Sequence, residues 1–356
     1  MAESLAIAVV GAGPGGLATA ARLAEQGQSV VLHDRDGERV TAIQERGGAD
    51  LEGDLGERFV RLPAVTSDLH EAIRDAQCVI VVVAADSHLE LLQTLLPALR
   101  PSTTLLLMAG AAGTLEAARL MREAGIPPGS ILLGETATHP QSSRLTGPAR
   151  VRIRFPSSMR TAAFPGTRTP ELIAQLGDLL PMTPTANVLD PALNNPNFLI
   201  HPAPMVTNYA EVERTGGTLS IMNEGMTPGT LRALDAVDAE KMALQRSLGL
   251  EVVSIDDFYT RAGSGPGVYR AQGEPFRMRD RIWDRYITED IPYGSVLYST
   301  LGRVLGVPTP VSDGITAVLS AATGVDWWAA GRTEARLGIA GMGREDLIAY
   351  VRAGSP

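Results

Sequence analysis

Residues 5–10 (LAIAVV) form a short apolar run that meets Gly11 directly, the pattern of a buried parallel strand ending in a turn. Leu17, Ala20, Ala21 and Ala24 then recur at helical spacing, and Gly27 stands where a helix would be capped. A second apolar run at 30–32 closes in His33, Asp34 and Arg35, which makes strand, turn, helix and strand within about 30 residues, a βαβ unit. The alternation continues at 76–85 (AQCVIVVVAA), 104–108 (TLLLM) and 131–133 (ILL), separated by helical patterns such as 87–99. Strands spaced by helices predict a parallel sheet covered on both faces. Residues 151–155 (VRIRF) alternate apolar and charged positions and read as an exposed edge strand. From about Leu189 the texture changes: 229–248, 296–305 and 313–322 carry helical spacing, and strand-like runs nearly vanish. Gly and polar residues dominate 262–275 (AGSGPGVYRAQGEP), which reads as a mobile loop.

The turn after the first strand is Gly11-Ala12-Gly13-Pro14-Gly15-Gly16, a G-x-G-x-x-G that opens a helix. Gly11 permits the tight turn, Gly13 lets a pyrophosphate approach the backbone, and Gly16 lets helix and strand pack closely. The free N–H groups of the helix N-terminus hold the negative charge. Asp34 ends the second strand, where a carboxylate accepts hydrogen bonds from ribose hydroxyls. It favours NAD, whereas the adjacent Arg35 leaves NADP as the alternative, by pairing with a 2′-phosphate or stacking on adenine. Ala84, after the third apolar run, and the AGAAG of 109–113 are small enough to leave space for the nicotinamide half. The fold class is therefore an α/β Rossmann-type parallel sheet domain, residues 1–189, followed by an all-α domain, residues 190–356.

Length supports two domains, since 356 residues exceed the roughly 250–300 at which one core stops growing. Thirty-one Lys and Arg against 40 Asp and Glu, a net charge of -9, argue against nucleic acid as a partner. No run approaches the roughly 20 apolar residues of a membrane span. A lone cysteine, Cys78 in an apolar run, forms no internal disulfide and fits a reducing cytoplasm. No metal site is expected. Of five histidines, His201 differs from the rest. It sits at the change of texture, and its side chain suits proton transfer at neutral pH. Asn208, a little further on, is a candidate donor to a substrate carbonyl or carboxylate.

Several ordered blocks accompany His201: GET at 134–136, NxxxHPxPxxxN at 197–208, EGMTP at 224–228 and DAEK at 238–241. They continue with RYITEDIPYG at 285–294, LGRVLGVPTP at 301–310 and GRTxxxLG at 331–338. Together with the G-x-G-x-x-G, this series resembles the opine dehydrogenases nearly end to end. The resemblance implies NAD(P)H-dependent reductive condensation of an amino acid or amine with a 2-oxo acid such as pyruvate, and a Rossmann domain before a helical one; a homodimer is the expected assembly. It places the catalytic histidine at His201, its paired carboxylate at Asp290 and a substrate-binding guanidinium at Arg285. A buried bidentate arginine suits anionic substrates. Two other readings stay open: a hydroxyacid or ketopantoate-type reductase using Lys241, and a nucleotide-sensing protein without turnover.

Overall fold

The structure, a computed structural model, describes residues 4–154, 157–261 and 282–355. The loop expected at 262–275 lies outside the described residues. The first apolar runs fold as their pattern predicts: β1 (Ala6–Val10), α1 (Pro14–Glu25) and β2 (Ser29–His33), then α2 (Gly37–Arg46), β3 (Gly48–Gly53), β4 (Arg58–Arg61), β5 (Ala64–Thr66) and α3 (Leu69–Ile73). Next come β6 (Cys78–Val81), α4 (His88–Leu95), β7 (Thr104–Leu107), α5 (Gly113–Glu123), β8 (Leu132–Thr136), β9 (Ser142–Gly147), β10 (Arg150–Arg154), β11 (Met159–Phe164), α6 (Thr169–Leu176) and β12 (Met182–Pro184). Eight strands form one sheet in the order β12-β11-β8-β7-β6-β1-β2-β5, parallel except where β11 meets β8. Ile7, Val9, Leu32, Ile80 and Leu106 are fully or almost fully buried, as strands covered on both faces require.

The four remaining strands make a second sheet, β4-β3-β10-β9, which the sequence reading did not separate from the first. Residues 151–154 of the run expected as an edge strand are therefore not at an edge, and residue 155 lies outside the described residues. Strand β10 lies inside this sheet, parallel to β3 and antiparallel to β9. Its alternation comes from one solvated face: Val151 and Ile153 are buried, while Arg150, Arg152 and Arg154 are exposed. Helix α1 packs against both sheets. That is why nearly all of it is buried, and why it is built from small residues and Leu17 and Leu23.

The described residues divide into two compact units, one reaching to Ala192 and including Val351–Gly354, the other Leu193–Tyr350. The boundary expected after residue 189 thus falls after Ala192, and four C-terminal residues join the first unit.

The second unit contains helices, as the spacing predicts: after α7 (Leu189–Leu193) come α8 (Asn197–Ile200), α9 (Pro202–Arg214), α10 (Pro228–Ser247), α11 (Ile255–Arg261) and α12 (Ile282–Thr288). These are followed by α13 (Val296–Leu305), α14 (Pro310–Thr323), α15 (Trp327–Ala330), α16 (Glu334–Leu337) and α17 (Arg344–Ala353). π-helical turns at Ile221–Gly225 and Ile291–Ser295 precede α10 and α13. Several sequence blocks mark helix ends. Thr227 caps α10 with Pro228 at its first position, Gly306 ends α13 in the left-handed conformation, and Thr333 and Gly338 bound α16. Glu240 caps α14 from a distance, accepting from Val311 N at 2.6 Å, Ser312 N at 3.0 Å and Ser312 Oγ at 2.7 Å. No helix among the described residues is long and apolar enough to cross a membrane.

Candidate active site

The three fingerprint glycines have three different reasons to be glycine. Gly11 has φ +105°, and a Cβ there would lie 2.4 Å from the Val82 carbonyl oxygen, so the turn presses against the chain leaving β6. A Cβ on Gly16 would lie 1.6 Å from the Gly11 oxygen, which is the close helix–strand approach. Gly13, the N-cap of α1, has nothing within 4 Å of a Cβ. Open space above the free N–H groups of a helix N-terminus is what an incoming diphosphate needs, so the residues fit a dinucleotide.

Asp34 is 8% exposed and holds this turn from the end of β2. Its Oδ2 accepts from Ala12 N at 2.6 Å and from Arg39 Nη1 at 3.2 Å, and Oδ1 accepts from Asp36 N at 2.9 Å. The guanidinium at this carboxylate therefore belongs to Arg39, not to Arg35, which is exposed. Arg39 also pairs with Asp36 at 3.4 Å. Arg39 was not among the arginines that the sequence singled out here; Arg35, expected at a 2′-phosphate or on adenine, makes no hydrogen bond or ion pair with Asp34. The available signal was Asp36, whose side chain caps α2 and sets Arg39 in the helix's first turn.

Ala84 leaves β6 in an extended conformation and leads into a short 3₁₀ turn. Beyond β7, Ala109, Ala111 and Ala112 all take left-handed φ, 54°, 52° and 60°. Such residues cost on the order of 1 kcal/mol each and persist only where neighbours over-determine them. Here Glu135, fully buried, accepts from Ala112 N, Thr114 N and Thr114 Oγ1 at 3.0, 3.0 and 2.6 Å. Thr136 Oγ1 accepts from Ala109 N and donates to the Thr138 carbonyl. The GET block thus shapes the strained loop at the end of β7.

In the second unit, His201 is the single residue between α8 and α9, with Pro202 opening α9. Its Nδ1 meets Asp290 Oδ2 at 2.7 Å, both side chains being nearly buried. An ionised carboxylate only accepts, so the proton of the neutral ring sits on Nδ1 and Nε2 is left as the proton-accepting nitrogen. The sequence RYITED explains the geometry. Tyr286 and Asp290 are four residues apart and both reach His201, the tyrosine ring lying 3.6 Å from the imidazole, centroid to centroid. Arg285 and Glu289, at the same spacing, pair with each other at 2.6 Å.

The expectation of a buried guanidinium at position 285 is corrected, since the Arg285 side chain is 66% exposed and faces outward with Glu289. Among the described residues the buried arginine is Arg332, over the Tyr293 ring at 4.9 Å and with its backbone N–H on the Pro292 carbonyl. Gly294 packs against Phe198 while Gly331 packs against Pro292 and Val296. Asn208 Nδ2 donates to the carbonyls of Pro204 and Gly225 at 2.8 and 3.1 Å, tying α9 to the first π-helical turn. Lys241 is 2% exposed, with Nζ 2.6 Å from both the Val253 carbonyl and Asp238 Oδ1. That is a structural lysine, so the ketopantoate-type alternative loses its catalytic group. Burial pushes the Cys78 thiol up to about 12, leaving it inert.

A family model for the α-helical domain of NAD/NADP octopine/nopaline dehydrogenase matches residues 184–323, and one for ketopantoate reductase PanE/ApbA matches residues 7–163. An opine dehydrogenase from Arthrobacter sp. (strain 1C) is 33% identical over 352 residues, covering 96% of this chain and 97% of that one. This chain belongs to the opine dehydrogenase family. A vitopine synthase from Allorhizobium ampelinum is 23% identical over 83% of the chain and 81% of its own length. Octopine dehydrogenase with NADH and L-arginine shares the fold at a TM-score of 0.75 and 18% identity, over 97% of this chain and 98% of that one. Yersinopine dehydrogenase does so at 0.70 and 16%, over 98% and 97%. The opine dehydrogenase homologue makes this chain an NAD(P)-dependent oxidoreductase acting on CH–NH bonds.

Proposed function

We propose that this opine dehydrogenase condenses an amino acid or amine with a 2-oxo acid such as pyruvate and reduces the resulting imine, with His201 and Asp290 handling the protons. The observation that carries the assignment of roles is the 2.7 Å bond between His201 Nδ1 and Asp290. Octopine dehydrogenase has been solved with NADH together with L-arginine, agmatine or pyruvate, which supports these two substrate classes.

Bound NAD(P)H supplies the hydride that reduces the imine carbon. The chain's own residues hold the diphosphate over Gly13 and move protons at His201 Nε2. Imine formation moves two protons from nitrogen to the carbonyl oxygen, which departs as water. A histidine fixed in one tautomer by Asp290 can carry each in turn. Arg285, one residue from Tyr286, takes a substrate carboxylate by exchanging it for Glu289, and Asn208 contributes Oδ1. In this reading the protein acts as a homodimer, and its one cysteine, buried and unreactive, suits a reducing cytoplasm. A panel of paired amines and oxo acids, scored by NADH and NADPH oxidation with mass spectrometry of the product, identifies the substrates. Oxidation by an oxo acid alone sinks the reading.

NAD is the preferred cofactor because a 2′-phosphate beside Arg39 would also meet Asp34 and Asp36. Replacing Asp36 by asparagine keeps the helix cap but removes one of those charges. NADPH affinity is expected to rise roughly tenfold, about 1.4 kcal/mol, with NADH affinity nearly unchanged. Adding Arg39→Ala should cancel the gain. Fluorescence titration of both cofactors measures this, and an unchanged NADPH affinity in Asp36→Asn contradicts it.

A further inference from the structure

A hydrogen bond to Asp290 fixes one atom of the His201 imidazole but leaves the ring free to turn about that bond, and the last torsion of histidine is intrinsically broad. The second constraint is Tyr286, whose ring lies face to face with the imidazole, centroids 3.6 Å apart and planes 12° from parallel. We infer that Tyr286 is a positioning residue for the reaction, a flat wall that sets the plane of His201 so that Nε2 keeps a constant direction. The inference rests on the reading of His201 as the proton carrier.

Tyr286 is 7% exposed and shares one helical side with Asp290, so a single turn of chain delivers both the carboxylate and the wall. The π face also offers electron density to the positive charge that develops on the imidazole during proton transfer. The hydroxyl is not the working part. Burial first, and then the charge of Asp290, push the phenol up to about 12, so it stays neutral and holds its proton in ordinary assay conditions. Three carboxylates on elements packed against α9 are engaged elsewhere: Asp238 with Lys241, Glu240 at the start of α14, and Glu224 on Ser220 N.

The test compares full-length Tyr286→Phe and Tyr286→Leu for kcat, KM of both organic substrates, NADH affinity, thermal midpoint and solvent deuterium isotope effect. Phenylalanine keeps the wall and should stay within about threefold of the parent in kcat. Leucine should lower kcat by roughly 10- to 100-fold with NADH affinity unchanged, because a misdirected base is a misplaced reactant. Its solvent isotope effect on kcat should rise as proton transfer becomes slower, a change that a purely structural role would not produce. If leucine lowers the thermal midpoint, Tyr286→Met, which fills similar space without a flat face, carries the same expectation. A folded leucine or methionine variant with parental kcat overturns the inference, as does a phenylalanine variant as damaged as leucine. Full activity in His201→Ala would instead overturn the reading beneath it.

Discussion

Replacing His201 by alanine is expected to lower kcat by roughly 10² to 10⁴, the usual contribution of a positioned general acid–base, while NADH affinity stays within about twofold. The two effects separate because the imidazole belongs to the helical unit, whereas the glycine turn and Asp34 belong to the sheet unit. Asp290→Asn should approach the same loss by another route. An asparagine amide can donate to Nδ1, which moves the ring proton to Nε2 and removes the accepting nitrogen. Steady-state kinetics with a parallel NADH titration reads both quantities. A His201→Ala enzyme within tenfold of parental kcat would show that the dyad is structural.

The second large effect separates two glycines that a motif treats alike. Gly16→Ala places a methyl group 1.6 Å from the Gly11 carbonyl oxygen, a backbone atom that cannot swing aside. The helix or the strand must move, and a loss of about 3 kcal/mol or more is expected. A Cβ at Gly13 meets nothing within 4 Å, so the thermal midpoint of Gly13→Val should barely change. The branched side chain would instead occupy the space a diphosphate enters. NADH affinity is expected to fall by up to about 100-fold, the equivalent of about 3 kcal/mol of overpacking at 1.4 kcal/mol per tenfold. Thermal melts and calorimetric titration of the two variants distinguish these outcomes. Equal destabilisation of both would remove the argument that Gly13 is glycine for the ligand.

What could be read from sequence were features whose cause is local. The strand that meets Gly11, the helix after it and Asp34 at the next strand's end lie within one βαβ unit, and each has its own physical signature. The dyad was legible through the block resemblance, not through spacing, since His201 and Asp290 lie 89 residues apart in the chain. The second sheet was not legible, because it pairs β3 with β10 across four strands of the first sheet, β5, β6, β7 and β8, and both strands carry charged residues. Arg285 was misplaced in burial, although the rule that governs it is simple. A residue four positions before Glu289 and one before Tyr286 shares its face with the glutamate, and Tyr286 shares its face with Asp290. Arg39 was missed because contact with Asp34 runs through a helix start and not through chain adjacency.

In the proposed reaction, hydride reaches a carbon made reactive by joining an amine to an oxo acid. The most direct test is the initial rate of NADH oxidation by the purified protein with the amine alone, the 2-oxo acid alone, and the two together. Oxidation only with both, yielding a secondary amine whose mass equals the two substrates less one oxygen atom, is the expected result. Steady oxidation with the oxo acid alone, giving a 2-hydroxy acid, would contradict it.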